Sequence, residues 1–231
     1  VTEQLGAARR QGEMQMSHVF RRLDAPRAPC SASDSESNEA CKEPVEVWAT
    51  GTRDTSFASG TAVTGAFTVG ADMQLGTVRF GAALGTGWDL AERASGYRGD
   101  VDGKTWMLYG RVALGDTFGL AAVAGRTDLD LDSRRALGDA GVVFGQRNGT
   151  NEFVGVELSG EWRNGERGLV PYLRYEHART ELDGYAESAT SPLALQFGDV
   201  TQRNSAFVLG AEAFHDLRFN WGVLTPKVRV E

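Results

Sequence analysis

The chain of 231 residues sets 24 Lys and Arg against 31 Asp and Glu, a formal net charge of -7 with its histidines neutral. That balance, without a basic stripe interleaved with aromatics, argues against a nucleic-acid partner. Although 41% of the residues are hydrophobic, no segment approaches the ~18 apolar residues of a membrane helix. Helical spans are excluded, while β-spans, which alternate apolar and polar residues, are not.

Residues 1–24 lack proline and β-alternation and are rich in Gln, Arg, Glu, Ala, Met and Leu, which favour helix. The predicted helix is polar on most of its circumference, so it belongs in solvent or in polar surroundings inside another element. Glu3, Arg9 and Arg10 with no apolar core rule out a signal peptide at Val1; an export signal is expected upstream. Residues 25–44 read as a polar linker, with Pro26, Pro29, Pro44 and the run SASDSESNEA, too poor in apolar surface to offset the entropy of ordering. Cys30 and Cys41 lie within it. They form either a local disulfide, which requires an oxidising compartment, or two free thiols; no second pair or His cluster supplies a zinc site.

From Val45 the pattern changes to period two. Val63, Phe67, Val69, Met73 and Leu75 oppose Thr64, Thr68, Asp72 and Gln74, and Val78, Phe80, Leu84, Trp88 and Leu90 oppose Arg79 and Asp89. Trp106, Leu108, Val112 and Leu114 oppose Arg111. A less regular strand from Phe118 sets Leu129 and Leu131 against Asp128, Asp130 and Asp132. Val154, Val156, Leu158 and Trp162 oppose Glu157 and Glu161, and Leu169, Pro171, Leu173 and Tyr175 oppose Arg174 and Glu176. Phe207, Leu209, Ala211 and Ala213 oppose Glu212, and GVLTPKVRVE closes with Leu224, Val228 and Val230 against Lys227 and Arg229. With VEVWATGT in front, about nine strands are expected. Short turns near Gly76, Gly115, Gly165 and Trp221 alternate with longer connections at residues 54–59, 92–103, 133–150 and 184–202.

Long strands of about ten to fourteen residues, joined in a meander with short turns on one rim and long loops on the other, fit a tilted membrane span. Soluble sandwich strands are usually shorter. Arg79, Arg111, Glu157, Glu161, Arg174, Glu176, Glu212, Lys227 and Arg229, of both signs and set among Gly and Ala, then face a narrow lumen. Trp48, Trp88, Trp106, Trp162 and Trp221 near strand ends suggest aromatic girdles. Another outer-membrane barrel of porin or adhesin type and a soluble β-sandwich binding module remain as alternatives.

No catalytic constellation, cofactor motif or metal-ligand spacing emerges. His18, His177 and His215 are scattered. Asp128, Asp130 and Asp132 imitate the start of a calcium loop, but Ser133 replaces the glycine at its sixth position. Asn148-Gly149-Thr150 reads as a loop turn.

The run GVELSGEWRNGERGLVPYLRYEHARTELDGYAES, with Asp183, Gly184, Tyr185 and Glu187, resembles the autotransporter β-domain. WGVLTPKVRVE is similar to that family's second Leu-Thr-Pro strand, and GAFTVGADMQLGTVRFGAALGTG to its early hairpin. The resemblance implies an all-β, twelve-stranded transmembrane meander barrel over residues 45–231, with the preceding helix threading its pore. It also implies outer-membrane lipid, the chain's own N-terminal passenger, the barrel-assembly machinery and periplasmic chaperones as partners. Two features depart from the family: the Cys30/Cys41 segment, and the absence after GVLTPKVRVE of three further strands and a terminal aromatic. The expectation is a C-terminally truncated barrel whose sheet stays open at two edges.

Overall fold

The computed structural model describes residues 2–24, 45–57, 60–93, 96–138, 141–187, 194–219 and 222–231. Good helix formers, with Glu3 in the first turn and Arg21 and Arg22 in the last, build α1 (Thr2–Asp24). The alternating stretches form β1 (Val45–Ser56), β2 (Thr61–Leu75), β3 (Val78–Glu92), β4 (Tyr97–Leu114), β5 (Phe118–Ala136), β6 (Val142–Gly160), β7 (Trp162–Asn164) and β8 (Arg167–Leu182). There follow β9 (Tyr185–Ala186), β10 (Gln196–Phe197), β11 (Val200–His215), β12 (Leu217–Phe219), β13 (Gly222–Leu224) and β14 (Lys227–Val230). Cys30, Cys41 and Trp221 lie outside the described residues.

Nine strands pair antiparallel in the order β1-β2-β3-β4-β5-β6-β8-β11-β14. Among the described residues β1 and β14 do not pair with each other, so the sheet is open, as expected. Gly76 and Gly115 take left-handed φ of 60° and 71° at the short-turn rim, a conformation that costs other residues strain. Prolines interrupt two ladders without shifting register. β6 stops at Gly160 opposite Pro171, which has no N–H to give, and pairing resumes in β7 with Trp162 opposite Leu169. The closing stretch, expected as one strand, likewise divides at Thr225-Pro226 into β13 and β14.

The connections on the other rim are shorter than expected. Residues 97–103, 133–136, 142–150 and 200–202 belong to strands, and Asn148-Gly149-Thr150 lies inside β6. The reason is visible on the outer face. Leu108, Leu120, Val156, Leu158, Leu173 and Leu209 are all at least 39% exposed and form an apolar belt. Above it the outward positions become Lys104, Arg126, Glu152, His177 and Arg203, with Arg126 directly opposite Glu152 and His177 opposite Ser205. The strands therefore run on past the apolar belt into water, where polarity on the outer face imitates a loop. The belt spans about nine residues per strand, which at ~3.4 Å per residue and a ~45° tilt is on the order of 20 Å. Trp106 and Trp162 stand exposed at its two margins. Trp48 does not: it points inward, 9% exposed, because its indole N–H donates to Tyr109 Oη at 2.7 Å.

α1 touches β1, β2, β3, β4, β5, β6 and β8. One helix can contact seven strands only if the sheet curls around it. The interior is layered. Near the short-turn rim Met16, Val19, Phe20 and Leu23 pack on Ala83, Met107, Val123 and Phe153. Near the opposite rim Ala7 and Ala8 pack on Val101, Leu129, Leu131 and Leu182. Leu129 and Leu131 thus face inward and Asp128, Asp130 and Asp132 outward, the reverse of the apolar-outward rule, because at that height the outside is water and the inside is helix.

If the belt meets hydrocarbon, Leu158→Arg should lower the unfolding free energy in lipid vesicles by about 2–4 kcal/mol, whereas Glu152→Arg above it should change it by about 0–1 kcal/mol. Denaturant titration followed by tryptophan fluorescence measures both.

Candidate functional site

The inner face is built around α1 at three heights. At the short-turn end Asp72, whose side chain is fully buried, accepts from Arg22 Nε at 3.0 Å, Arg79 Nε at 2.8 Å and the Tyr109 hydroxyl at 3.2 Å. Arg22 and Arg79 also pair with Glu46. Arg79 Nη1 donates to the Arg22 carbonyl at 3.3 Å and Arg111 Nη1 to the Leu23 carbonyl at 3.4 Å. Two cations thereby cap the last turn, where the helix dipole is negative. Arg111 holds Asp24 at 2.6 Å, and Arg229 approaches the same carboxylate at 3.8 Å.

Alongside, Glu157, 0% exposed, accepts from Arg174 Nη1 at 3.2 Å, and Arg174 Nε reaches Glu176 at 2.6 Å. The Arg174 guanidinium lies 5.2 Å over the Phe20 ring. Lys227 donates to Glu212 at 2.8 Å, and Arg229 Nε to Tyr172 Oη at 2.7 Å. Of the predicted inner-face residues, Arg79, Arg111, Glu157, Arg174, Glu176, Glu212, Lys227 and Arg229 come together here. Glu161 stands apart. It sits between β6 and β7 at the rim, paired at 3.1 Å with Arg163, which also holds Asp216 at 2.9 Å.

In the middle layer the buried ion pair is that of Arg10 with Asp89, while Arg9 and Glu13 pair at 3.1 Å on an exposed side of the helix. Arg10 grips the buried Asp89 through two bonds of 2.9 and 3.0 Å. Gln11 Nε2 donates to the Val101 carbonyl at 2.7 Å and Gln15 Nε2 to the Thr86 carbonyl at 3.1 Å. The Thr68 hydroxyl donates to Gln15 Oε1 at 2.6 Å, so it accepts from His18 Nδ1 at 2.7 Å, and His18 Nε2 then accepts from Thr52. That chain of donors is satisfied with His18 neutral. Glycines admit the helix: a Cβ on Gly155 would stand 2.6 Å from Met16 Sδ and 2.9 Å from Phe20 Cε2. Asp72, Asp89, Gln11, Gln15 and His18 were not among the predicted site residues. Their signal was present: Gln11, Gln15, His18 and Arg22 follow helical spacing, and the two aspartates occupy the inward phase of their strands.

At the far end Arg93 pairs with Glu3. The hairpin of β9 and β10 stacks Tyr185 on Phe197 at 4.9 Å and is tied to β5 by Arg135 Nη2 donating to Glu187 at 2.6 Å. The Arg135 hydrogen bond holds the Glu187 carboxyl below its ordinary range. Among the described residues no group of three His, Cys, Asp or Glu is placed to hold a metal ion.

An open meander with an apolar belt outside and a helix gripped by buried ion pairs inside defines a transmembrane β-barrel wall around its own N-terminal segment. Residues 45–231 match the family model of the autotransporter beta-domain, and the chain belongs to that family. In fold it is similar to the translocator domain of the autotransporter NalP from Neisseria meningitidis, with a TM-score of 0.72, 18% identity, and coverage of 90% of this chain and 71% of that one. It is also similar to the β domain of the Bordetella autotransporter BrkA, with a TM-score of 0.64, 17% identity, and coverage of 81% and 77%. No curated protein matches the chain in sequence. The chain is an outer-membrane translocator of type V secretion, a transport domain whose family carries an attached passenger.

Asp72→Ala removes the buried carboxylate from Arg22 and Arg79, leaving them the half-exposed Glu46, and should cost about 3 kcal/mol. Glu46→Ala, at a half-exposed site, should cost about 0–1 kcal/mol; urea unfolding in detergent micelles compares them. Because Glu187 is depressed in the folded state, its contribution is present above the unfolded carboxylate range and lost as pH falls through the folded value. Hydrogen exchange of the hairpin amides should therefore accelerate on acidification, and less so in Glu187→Gln.

Proposed function

We propose that α1 is the segment left in the pore when the passenger has been exported, and that the inner face holds it there. The observation that carries this reading is the direction of the helix. Glu3 meets Arg93 at the rim where the strands outrun the apolar belt, and Arg22 meets Asp72 beside the short turns. A chain running upstream from Thr2 then leaves on the outer side, where a passenger belongs, while Asp24 and Val45 both stand at the short-turn, periplasmic rim.

In this reading Arg79, Arg111, Glu157, Arg174, Glu176, Glu212, Lys227 and Arg229 line the lumen and fix the register of the helix, with Asp72 and Asp89 as their principal counter-charges. The domain performs no reaction of its own. Periplasmic chaperones deliver it and the barrel-assembly machinery inserts it, since a belt of exposed leucines and valines cannot wait in water unprotected.

The test is a cross-link in the full-length protein in outer membranes, with Cys30 and Cys41 replaced by Ser. Gln15→Cys with Thr68→Cys, whose native side chains touch at 2.6 Å, should be joined by a short bis-methanethiosulfonate cross-linker, which spans the gap that the shorter cysteine leaves. Gln15→Cys with Val69→Cys, whose second position points outward, should not. Failure of the first pair overturns the pore-helix reading.

A further inference from the structure

Arg147 is 5% exposed, on the inner face of β6, between the first turns of α1 and the β9–β10 hairpin. Its Nη2 donates to Gln4 Oε1, and its guanidinium carbon lies 5.2 Å from the centre of the Tyr185 ring. The ring fits because the residue across from it is Gly145, where any side chain would collide with it. Arg147 Nε and Nη1 are buried without an acceptor, and so is the neighbouring Gln4 Nε2. Three N–H groups of an arginine and two of an amide are thus left at one place with nothing to accept them.

This arginine differs from the others that are comparably buried. Arg79 and Arg174 each have a carboxylate within ion-pair distance, whereas Arg147 has none among the described residues. A buried cation without a counter-charge is costly, and the face of one aromatic ring offsets only part of that cost. The start of α1 adds the positive end of a 23-residue helix to the same place. Asp183 acts on Arg147 only from beyond ion-pair distance and Glu3 is taken by Arg93, so the site itself is rich in donors and short of acceptors.

We propose that this mouth site binds an oxyanion, held by Arg147 Nε and Nη1 and Gln4 Nε2. A carboxylate or a phosphate-class ion has the charge and the several acceptor oxygens that the site lacks. The anion could come from an acidic side chain of the polypeptide leaving the pore or from free solution. Its three walls are β6, α1 and the hairpin, so the site is complete only when the helix is seated and the hairpin closed. Filling it latches the mouth at the end of export. The inference rests on α1 occupying the pore, which the cross-link above tests separately.

The experiment uses the full-length protein in detergent micelles, with thermal unfolding measured in inorganic phosphate and in chloride at equal ionic strength. If the anion is free, phosphate raises the wild-type melting temperature saturably, on the order of 2–4 °C, and Arg147→Gln abolishes the rise. If it is a carboxylate of the chain, phosphate changes nothing, Arg147→Gln and Arg147→Met both melt lower, and Arg147→Lys, which keeps the charge, recovers most of the loss. Gln4→Ala, which leaves the arginine in place, should weaken whichever effect is seen. An equal phosphate effect in wild type and Arg147→Gln would overturn the proposal. So would Arg147→Met melting at or above wild type, since the cation would then have no anion to hold.

Discussion

Asp72 of β2 ties the last turn of α1 to β3 and β4, and its geometry explains why the helix sits where it does. It receives Arg22 from α1, Arg79 from β3 and the hydroxyl of Tyr109 from β4, while Glu46 and Trp48 of β1 bond to those same partners. A buried ion pair is weak grounds for expecting high stability, because the desolvation it requires cancels much of the attraction. Its value is registry. Arg10 and Arg22 are twelve residues apart, ~18 Å along a helix. Asp72 faces Gly81 across the β2–β3 pair, so Asp89 lies eight residues farther along β3, ~26 Å of strand and ~19 Å of height at a 45° tilt. The two arginines match the two aspartates only because the strands are tilted. Sliding the helix by one turn would take both helix arginines from their aspartates, leaving Arg79 as the cation on Asp72.

Between those ion pairs the packing serves a different end. Two apolar clusters, one around Phe20 and Met107 and one around Leu129 and Leu182, enclose a layer in which Gln11, Gln15, His18, Thr68 and Asn151 find partners within the barrel wall. Where the helix meets the wall these polar groups are out of water, so they must satisfy one another. The helix seats on apolar residues as well as polar ones, while its side from Arg10 to Arg21 borders an open cleft shared with Arg174, Glu176, Val208 and Arg229. Ala7, Ala8, Val19, Phe20 and Leu23 carry the apolar part of that contact.

The sheet was legible in the sequence wherever one face meets the apolar belt. Phe67, Val69, Leu84, Leu108, Leu158 and Leu173 keep strict period two and point outward. Legibility ended where the solvent changed. Beyond Arg126 and Glu152 the outward face turns polar and the inward face mixes Leu129 and Leu131 with Thr127 and Ser133, so strand resembled loop, and the inward leucines of β5 looked like an outward face. Trp48 illustrates the same limit at a single residue: an indole near a strand end suits an interface, but this one has a buried hydroxyl to bond. The inward charges were readable from their phase, since Glu157 and Arg174 alternate with lipid-facing neighbours. Their partners on α1 were not, because the offset of helix against sheet depends on strand tilt, which no local pattern encodes. Arg111, for one, meets Leu23 and Asp24 at the end of the helix.

The open edges follow from the same division between side chains and backbone. Arg22 pairs with Glu46 of β1 and Asp24 approaches Arg229 of β14, so both outermost strands reach a stretch of three helical residues. Ionic contacts draw the two edges toward one helix end and set the curvature of the wall there. They do nothing for the row of N–H and C=O groups along each edge, which side chains from within cannot reach. At the level of the apolar belt no water is present to satisfy that row, and each unmet group costs several kcal/mol. The helix can shape the wall, but only strand pairing can close it.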